Sequence, residues 1–148
     1  MTDTLQNPEE FTPLTRVQLR KDDLTVHFNL DESLPPVLID PAQVSQVVIN
    51  LVINAMQAMP GGGELSITTQ MDPITRRVEL LVSDTGVGIP SDNLSKIFDP
   101  FFTNKPEGTG LGLAIARQIL EKNQAAIHVS SKKGKGTVFR LLFKTVEE

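Results

Sequence analysis

The sequence predicts a single α/β (α+β) domain, a two-layer sandwich in which helices cover one face of a mixed, mostly antiparallel sheet. Residues 41–59 have the apolar spacing of an amphipathic helix, and several shorter stretches alternate apolar and polar residues as strands do. These stretches are mostly joined by hairpin-like connections, which favours antiparallel pairing. The chain has 148 residues and no cysteine, so it can bury a core, whereas neither a disulfide framework nor a thiolate metal site can form.

The elements are expected in the order β-α-ββ-α-α-ββ. Residues 1–23 are polar and are interpreted as a linker or the remnant of a preceding segment, which leaves the folded domain at 24–148. Asp40 and Pro41 predict the start of a helix that runs to about Met59, because aspartate caps helices and proline fits their first turn. The other expected elements are strands at 24–30, 64–70, 77–83, 126–131 and 137–144, and helices at 91–97, capped by Ser91, and at 113–120.

Charge and hydropathy argue against several kinds of partner. The formal net charge is −4 and the basic residues are dispersed, which disfavours a nucleic-acid partner. No apolar run approaches the ~20 residues of a membrane span, and no signal-peptide pattern opens the chain. We therefore expect a cytoplasmic domain without membrane contact, which could be one part of a longer protein.

Two glycine-rich turns indicate a ligand site. They are residues 84–90 (DTGVGIP) and 108–113 (GTGLGL), and they bracket a loop with Lys105 near its tip. Glycine clusters occur where the backbone takes unusual angles or comes close to another group, so the pattern suggests a nucleotide under a mobile cover. Asp84 could accept hydrogen bonds from an exocyclic amine such as that of adenine, or it could only stabilise its turn.

Phosphate and metal ligands can be assigned around these turns. The second glycine turn opens a helix, whose exposed N–H groups suit phosphate, and a glycine-rich hinge is the alternative. The turn matches neither the Walker loop nor the dinucleotide fingerprint. Asn50 and Asn54 lie four residues apart on one polar helix stripe, so their amides could hold magnesium or could simply face solvent.

An aromatic cluster lies between the glycine turns, and its simplest role is to anchor the loop to the core. It consists of three of the chain's seven phenylalanines, Phe98, Phe101 and Phe102. Lys105 follows three residues later and is a candidate phosphate contact, with a solvated surface lysine as the alternative. His27 and His128 lie in strand-like alternation and are interpreted as structural or solvent-facing.

Together these motifs resemble the catalytic, ATP-binding domain of two-component sensor histidine kinases, within the GHKL ATPase superfamily. The resemblance covers about residues 24–144, and four ordered motifs are far more specific than any one of them. The runs NAMQAMPGGG and FFTNKPEGTGLGL look most similar to nitrogen-regulation and transporter-linked sensor kinases. The matching segments are an N box at 50–55, a G1 box at 84–90, an F box at 98–105, a G2 box at 108–114 and a closing glycine-threonine turn at 134–137.

The resemblance implies the Bergerat fold and a set of residue roles. Asn54 would hold Mg²⁺ with Asn50 in support, and Asp84 would bind the adenine amine of ATP, helped by Thr137 through water. Gly86 and Gly88 would let the backbone approach the base. Lys105, Gly110 and Gly112 would contact phosphates, and residues of about 91–110 would form a lid. The other ATP contacts implied by the boxes are Ile89, Phe98, Thr109, Leu111 and Leu113.

The reaction implied by the resemblance is transfer of the γ-phosphoryl group to a histidine. In the family that histidine is followed by an acid and soon by a proline, and neither His27 nor His128 fits this pattern. The acceptor is therefore expected on the protein's own helical dimerisation and phosphoacceptor domain, outside this chain. A response regulator would be an indirect partner, and the isolated domain would be a monomer. A second departure is the run NQAA at 123–126, where the family has a histidine-glycine or asparagine-glycine turn.

Two other functions stay open. A GHKL ATPase of the gyrase, mismatch-repair or chaperone kind would hydrolyse ATP to drive dimer clamping. Those enzymes place a general-base glutamate four residues before the metal-binding asparagine, where this chain has Asn50. The third function is a non-catalytic nucleotide-binding module, and the presence of Asn54, Asp84 and both glycine turns argues against it.

Overall fold

The computed structural model describes residues 2–3, 24–102 and 112–146. Within these residues the element order follows the one expected from the sequence, with two short strands added. The strands are β1 (Thr2–Asp3), β2 (Leu24–Leu30), β3 (Val37–Leu38), β4 (Gly63–Met71), β5 (Val78–Asp84), β6 (Ala126–Lys132) and β7 (Gly136–Phe143). The helices are α1 (Pro41–Gln57), α2 (Ser91–Leu94) and α3 (Gly112–Lys122).

Five strands form the main sheet, in the order β2-β4-β5-β7-β6. Strand β2 runs parallel to β4, and the other three pairs are antiparallel. This confirms the mixed, mostly antiparallel sheet and the predicted hairpin of β4 and β5. A separate two-stranded sheet pairs β1 with β3, which no pattern in the sequence predicted. Residues 4–23 lie outside the described residues, so their interpretation as a linker stays a prediction.

Helix α1 begins as the sequence predicts. The carboxylate of Asp40 accepts hydrogen bonds from the backbone N–H groups of Ala42 and Gln43, at 3.1 and 3.4 Å. The helix ends at Gln57, two residues before the expected end, although Met59 is still buried in the core. The apolar face predicted from spacing is the face that packs inward. Its buried members are Val44, Val47, Val48, Leu51, Val52, Ala55 and Met56.

The core lies between the helices and one face of the sheet. Alternate residues of β4, β5 and β7 point into it, and Ile67, Leu80 and Leu141 are fully buried. These side chains form one cluster with the inward face of α1 and with Ala116 and Leu120 of α3. Helices α1 and α3 therefore cover the same face of the sheet, as expected for a two-layer sandwich.

Helix α2 is shorter than predicted, and its cap was assigned wrongly. It covers only Ser91–Leu94, Pro90 occupies the N-cap position, and no side chain caps the helix. Beyond it the chain continues in tight turns, in which the N–H groups of Lys96, Asp99 and Phe102 each bond a carbonyl three residues back. Such bonds close turns that are tighter than an α-helix, so the predicted helix stops early.

Candidate functional site

A carboxylate and a hydroxyl lie side by side, both buried, at one end of the main sheet. Asp84 is the last residue of β5 and is directly opposite Thr137 on β7. Only 7% of Asp84 and 4% of Thr137 are exposed. Directly opposed residues share a face of the sheet, and this face is the one that the helices cover. A buried pair of polar groups is costly unless both are bonded, so it marks a candidate site.

Asp84 also shapes the loop that follows it. Its Oδ1 accepts a hydrogen bond from the backbone N–H of Gly86 at 2.8 Å. The turn-stabilising role that the sequence left open is therefore present. It is compatible with ligand binding, because a carboxylate has two oxygens and about four acceptor sites.

The glycines of the first loop pack against protein backbone. A Cβ at Gly86 would collide with the carbonyl of Ala58 just after α1, and one at Gly88 would collide with the carbonyl of Lys132. Gly88 also has a φ of +74°, which side chains rarely adopt. The loop is held on both sides, since Val87 donates to Ala58 at 2.9 Å and accepts from Gly134 at 2.6 Å. Packing alone thus accounts for both glycines, and a close approach to a base stays a prediction.

Ser131 is a site residue that the sequence analysis missed. It pairs with Thr137 in the β6–β7 hairpin, and their hydroxyl oxygens are 2.8 Å apart. The Ser131 hydroxyl also accepts from the N–H of Ile89 at 2.7 Å and lies 2.8 Å from the carbonyl of Gly136. The signal in the sequence was weak, because the register that faces Ser131 with Thr137 depends on the length of the turn between them. Ile89, a predicted ATP contact, is thereby tied to the Thr137 side of the site.

Of the two asparagines of α1, Asn50 contacts the start of α3. Both are half-buried, and the Nδ2 of Asn50 lies 3.5 Å from the carbonyl of Gly112, to which it donates. The fold therefore brings Asn50 of the N box next to Gly112, at the end of the second glycine turn. Leu113, the next residue of α3, packs against the core and is half-buried.

The aromatic cluster anchors its segment through two of its three rings. Phe98 and Phe102 pack against the core, and the Arg117 guanidinium of α3 lies 5.5 Å from the centre of the Phe98 ring. Phe101 is 72% exposed, so its predicted role as an anchor is wrong. Its φ of +67° places it in the left-handed region, where the chain turns this ring away from the core.

Several predicted site residues lie outside the described residues, and their roles stay predictions. They are Lys105, Thr109, Gly110 and Leu111. The two histidines are described, and both are exposed. His27 is 3.5 Å from the carboxylate of Glu64. By strand alternation and register both histidines lie on the sheet face opposite to Asp84, so the predicted structural or solvent-facing role is confirmed.

The fold and the site define an α/β domain of the ATPase class, with a buried carboxylate beside a glycine loop and a helix amide, Asn50, that contacts the first residue of α3. A family model described as "Histidine kinase-, DNA gyrase B-, and HSP90-like ATPase" matches residues 39–147. The chain belongs to this family, and within it the chain is a catalytic domain of the sensor histidine kinase type.

Two curated relatives illustrate the similarity in sequence. Sensor histidine kinase ZraS of Escherichia coli (strain K12) is 40% identical over 119 residues, which cover 80% of this chain and 25% of the relative. Sporulation kinase E of Bacillus subtilis (strain 168) is 37% identical over 142 residues, covering 95% of this chain and 18% of the relative. The chain therefore spans a quarter or less of the length of these relatives.

Solved structures give the same classification. The nucleotide-free catalytic domain of histidine kinase ThkA superposes with a TM-score of 0.83 at 33% identity, covering 98% of this chain and 95% of that one. Full-length ShkA in complex with AMPPNP superposes with a TM-score of 0.79 at 26% identity, covering 93% of this chain and 29% of that one. The predicted fold class and family are confirmed.

Proposed function

We propose that this domain binds Mg²⁺-ATP and donates the γ-phosphoryl group to a histidine on a separate helical dimerisation and phosphoacceptor domain, in two-component signal transduction. The observation that carries the proposal is the buried pair of Asp84 and Thr137 beside the first glycine loop. Support also comes from the similarity to ShkA, whose structure was determined with AMPPNP.

Asp84 is proposed to recognise the adenine base. An ionised carboxylate can accept hydrogen bonds but cannot donate them, whereas the exocyclic amine of adenine serves as a donor. The Gly86 N–H holds Oδ1 of this carboxylate at 2.8 Å, so the side chain is oriented before a ligand arrives. A preorganised acceptor of this kind gives selectivity for a donor at purine position 6.

The phosphates and the metal are proposed to lie between α1 and α3. The amide oxygen of Asn54 is a hard ligand suited to Mg²⁺, and Asn50 contacts the first residue of α3 at 3.5 Å. The N-terminal N–H groups of α3, from Gly112 onward, favour an anion through the helix dipole. These residues fit a magnesium-phosphate group, and the metal would neutralise charge on the phosphates. Lys105, Thr109, Gly110 and Leu111 are proposed to complete the phosphate contacts.

The rest of the protein is proposed to supply the acceptor and the signal. The relatives are longer than this chain, which supports separate domains in the whole protein. We assign the catalytic domain to 24–148, a linker to 1–23 and a monomeric state to the isolated domain. A response regulator would be an indirect partner, and we expect no nucleic-acid or membrane contact in the cytoplasm. Among the described helices none is long and apolar enough to cross a bilayer.

The ATPase alternative makes a different demand on α1. Hydrolysis needs a group that removes a proton from water, and the amide of Asn50 cannot do so. Its Nδ2 instead donates toward Gly112, which supports a role in joining two helices. A nucleotide-binding module without chemistry is less favoured, because the relatives of the chain are kinases. Phosphotransfer is therefore the preferred function.

The test of the proposal is nucleotide affinity. Replacing Asp84 by Asn keeps an acceptor for the Gly86 N–H but removes the charge and places an amide near the adenine amine. We expect ATP and ADP binding to weaken alike, by about 1.5–3 kcal/mol, because both contain the lost contact. Isothermal titration calorimetry measures this, with GTP as the poorly bound comparison. The control is Asp92→Asn, which changes an exposed aspartate of α2. Equal affinities of the parent for ATP and GTP would overturn the assignment of Asp84.

A further inference from the structure

The Ser131 hydroxyl is surrounded by three polar atoms. It lies 2.7 Å from the backbone nitrogen of Ile89, 2.8 Å from the carbonyl oxygen of Gly136 and 2.8 Å from the hydroxyl oxygen of Thr137. A serine hydroxyl has one proton to donate and two lone pairs to accept with. Three neighbours therefore saturate it, provided that each contact has the right direction.

The chemistry of the neighbours fixes those directions. The Ile89 N–H only donates and the Gly136 carbonyl only accepts, so Ser131 accepts from the first and gives its single proton to the second. The contact with Thr137 must then run from Thr137 to Ser131, since Ser131 has no second proton. The hydroxyl proton of Thr137 is thus committed to Ser131.

This commitment determines what Thr137 offers to the site. With its proton given to Ser131, the Thr137 hydroxyl has only lone pairs left and can act only as an acceptor. Its cross-strand neighbour Asp84 carries a carboxylate, which in the ionised form can accept hydrogen bonds but not donate them. The two buried side chains at this end of the sheet therefore present acceptors side by side. A ligand group with N–H donors can hydrogen-bond to both acceptors, whereas a carbonyl oxygen of the ligand would be repelled by their lone pairs.

We propose that Ser131 is a positioning residue that makes the site selective for a 6-aminopurine by holding Thr137 as an acceptor. The inference rests on the proposed binding of ATP and adds the residue that sets the polarity of the pocket. Ser131 affects base selectivity through Thr137 alone, whereas its hydrogen bond from the Ile89 N–H ties the first glycine loop to the same hairpin. Without Ser131, Thr137 can turn its hydroxyl proton toward the ligand and donate a hydrogen bond to a 6-oxo oxygen.

The experiment compares ATP with ITP, which has an oxygen at position 6 in place of the amine. Affinities are measured by calorimetry for the parent, Ser131→Ala, Thr137→Val and the double variant. The control is Ser130→Ala, an exposed serine of the same strand that faces the other side of the sheet. In Ser131→Ala we expect the ratio of ATP affinity to ITP affinity to fall by about 5- to 10-fold, the effect of one hydrogen bond.

The double variant Ser131→Ala, Thr137→Val distinguishes a positioning role of Ser131 toward Thr137 from a merely structural role. If Ser131 acts through the proton of Thr137, removing Ser131 changes the ratio only while Thr137 is present, so Thr137→Val and the double variant share one reduced ratio. A parental ratio in Ser131→Ala, or an equal further fall in the Thr137→Val background, would overturn the role of Ser131. Thr137→Val leaves the serine in place, so an unchanged ratio there refutes the proposal even if Ser131→Ala does not fold. Absence of ATP binding by the parent would instead refute the nucleotide site itself.

Discussion

At the scale of single residues, the site is a set of polar groups whose partners are fixed by the backbone. Asp84 is held by a backbone N–H at 2.8 Å, and Ser131 is held by a backbone N–H at 2.7 Å and lies 2.8 Å from a carbonyl. Backbone partners do not rotate, so these hydrogen bonds favour one orientation of each side chain before a ligand binds. This is preorganisation, which reduces the entropic cost of binding.

Asn54 provides a test of the metal site. Replacing Asn54 by Ala removes an amide oxygen from a half-buried position of α1, four residues after Asn50. We expect phosphotransfer with Mg²⁺ to fall at least about 100-fold, because metal ligands contribute several kcal/mol of charge stabilisation. Binding of metal-free ADP should change by less than about threefold, the size of a surface substitution. Single-turnover transfer to an added acceptor domain and calorimetry measure the two effects.

Gln46→Ala is the matched control for that experiment. Gln46 is an exposed residue of the same helix, eight positions before Asn54. It should leave both phosphotransfer and ADP binding at the level of the parent. Transfer by Asn54→Ala at the parental rate would show that Asn54 is a surface residue without a role in the reaction.

At the scale of elements, the turn at the end of α3 shows how the fold accommodates an unusual sequence. The N–H groups of Gln124 and Ala125 bond the carbonyls of Glu121 and Leu120, at 3.1 and 2.8 Å. This pattern is a Schellman motif, in which glycine is favoured because the residue after the cap is left-handed. Gln124 takes that position with a φ of +55°. The turn after α3 therefore forms although the run NQAA lacks the glycine that the family has there.

Replacing Gln124 by Gly should stabilise the domain. The substitution removes the clash of a Cβ in left-handed backbone, about 1–2 kcal/mol, and adds about 0.4–1 kcal/mol of chain entropy to the unfolded state. The expected net gain in the free energy of unfolding is about 0.5–1 kcal/mol, measured by urea denaturation. The control is Gln118→Gly in the exposed middle of α3, which should cost about 1 kcal/mol. Comparable destabilisation by both substitutions would contradict this account of the turn.

Local patterns in the sequence predicted the elements well and the contacts between them poorly. Apolar spacing found the buried face of α1, and alternation found the five strands of the main sheet, because both follow from backbone periodicity. The motif spacing also located Asp84 and the glycine turns. The contacts of Ser131 and the exposure of Phe101 could not be read in this way. They depend on strand register and on one positive φ, which tertiary packing decides.

At the scale of the whole molecule, the described residues place both histidines away from the candidate nucleotide site. Asp84 and Thr137 are on the helix-covered face of the sheet, and the Asn50 amide contacts α3, one of the helices on that face. His27 and His128 are on the opposite face, in exposed positions. Phosphoryl transfer requires the acceptor to be in line with the γ-phosphate at near-contact distance. The sheet itself therefore separates both histidines from the proposed site.

We expect the isolated 148-residue chain to bind Mg²⁺-ATP yet neither to label itself nor to hydrolyse ATP at an appreciable rate. Both histidines are on the wrong face, and Asn50 stands where a base for water would be needed. Adding the cognate helical phosphoacceptor domain should produce label on that domain only. Incubation with radiolabelled ATP, followed by electrophoresis under conditions that preserve phosphohistidine, measures both results. The double variant His27→Gln, His128→Gln should label the added domain as the parent does. Strong acid-labile label on the chain alone, lost in that double variant, would show that one of these histidines reaches the γ-phosphate and that the separation by the sheet does not hold in solution.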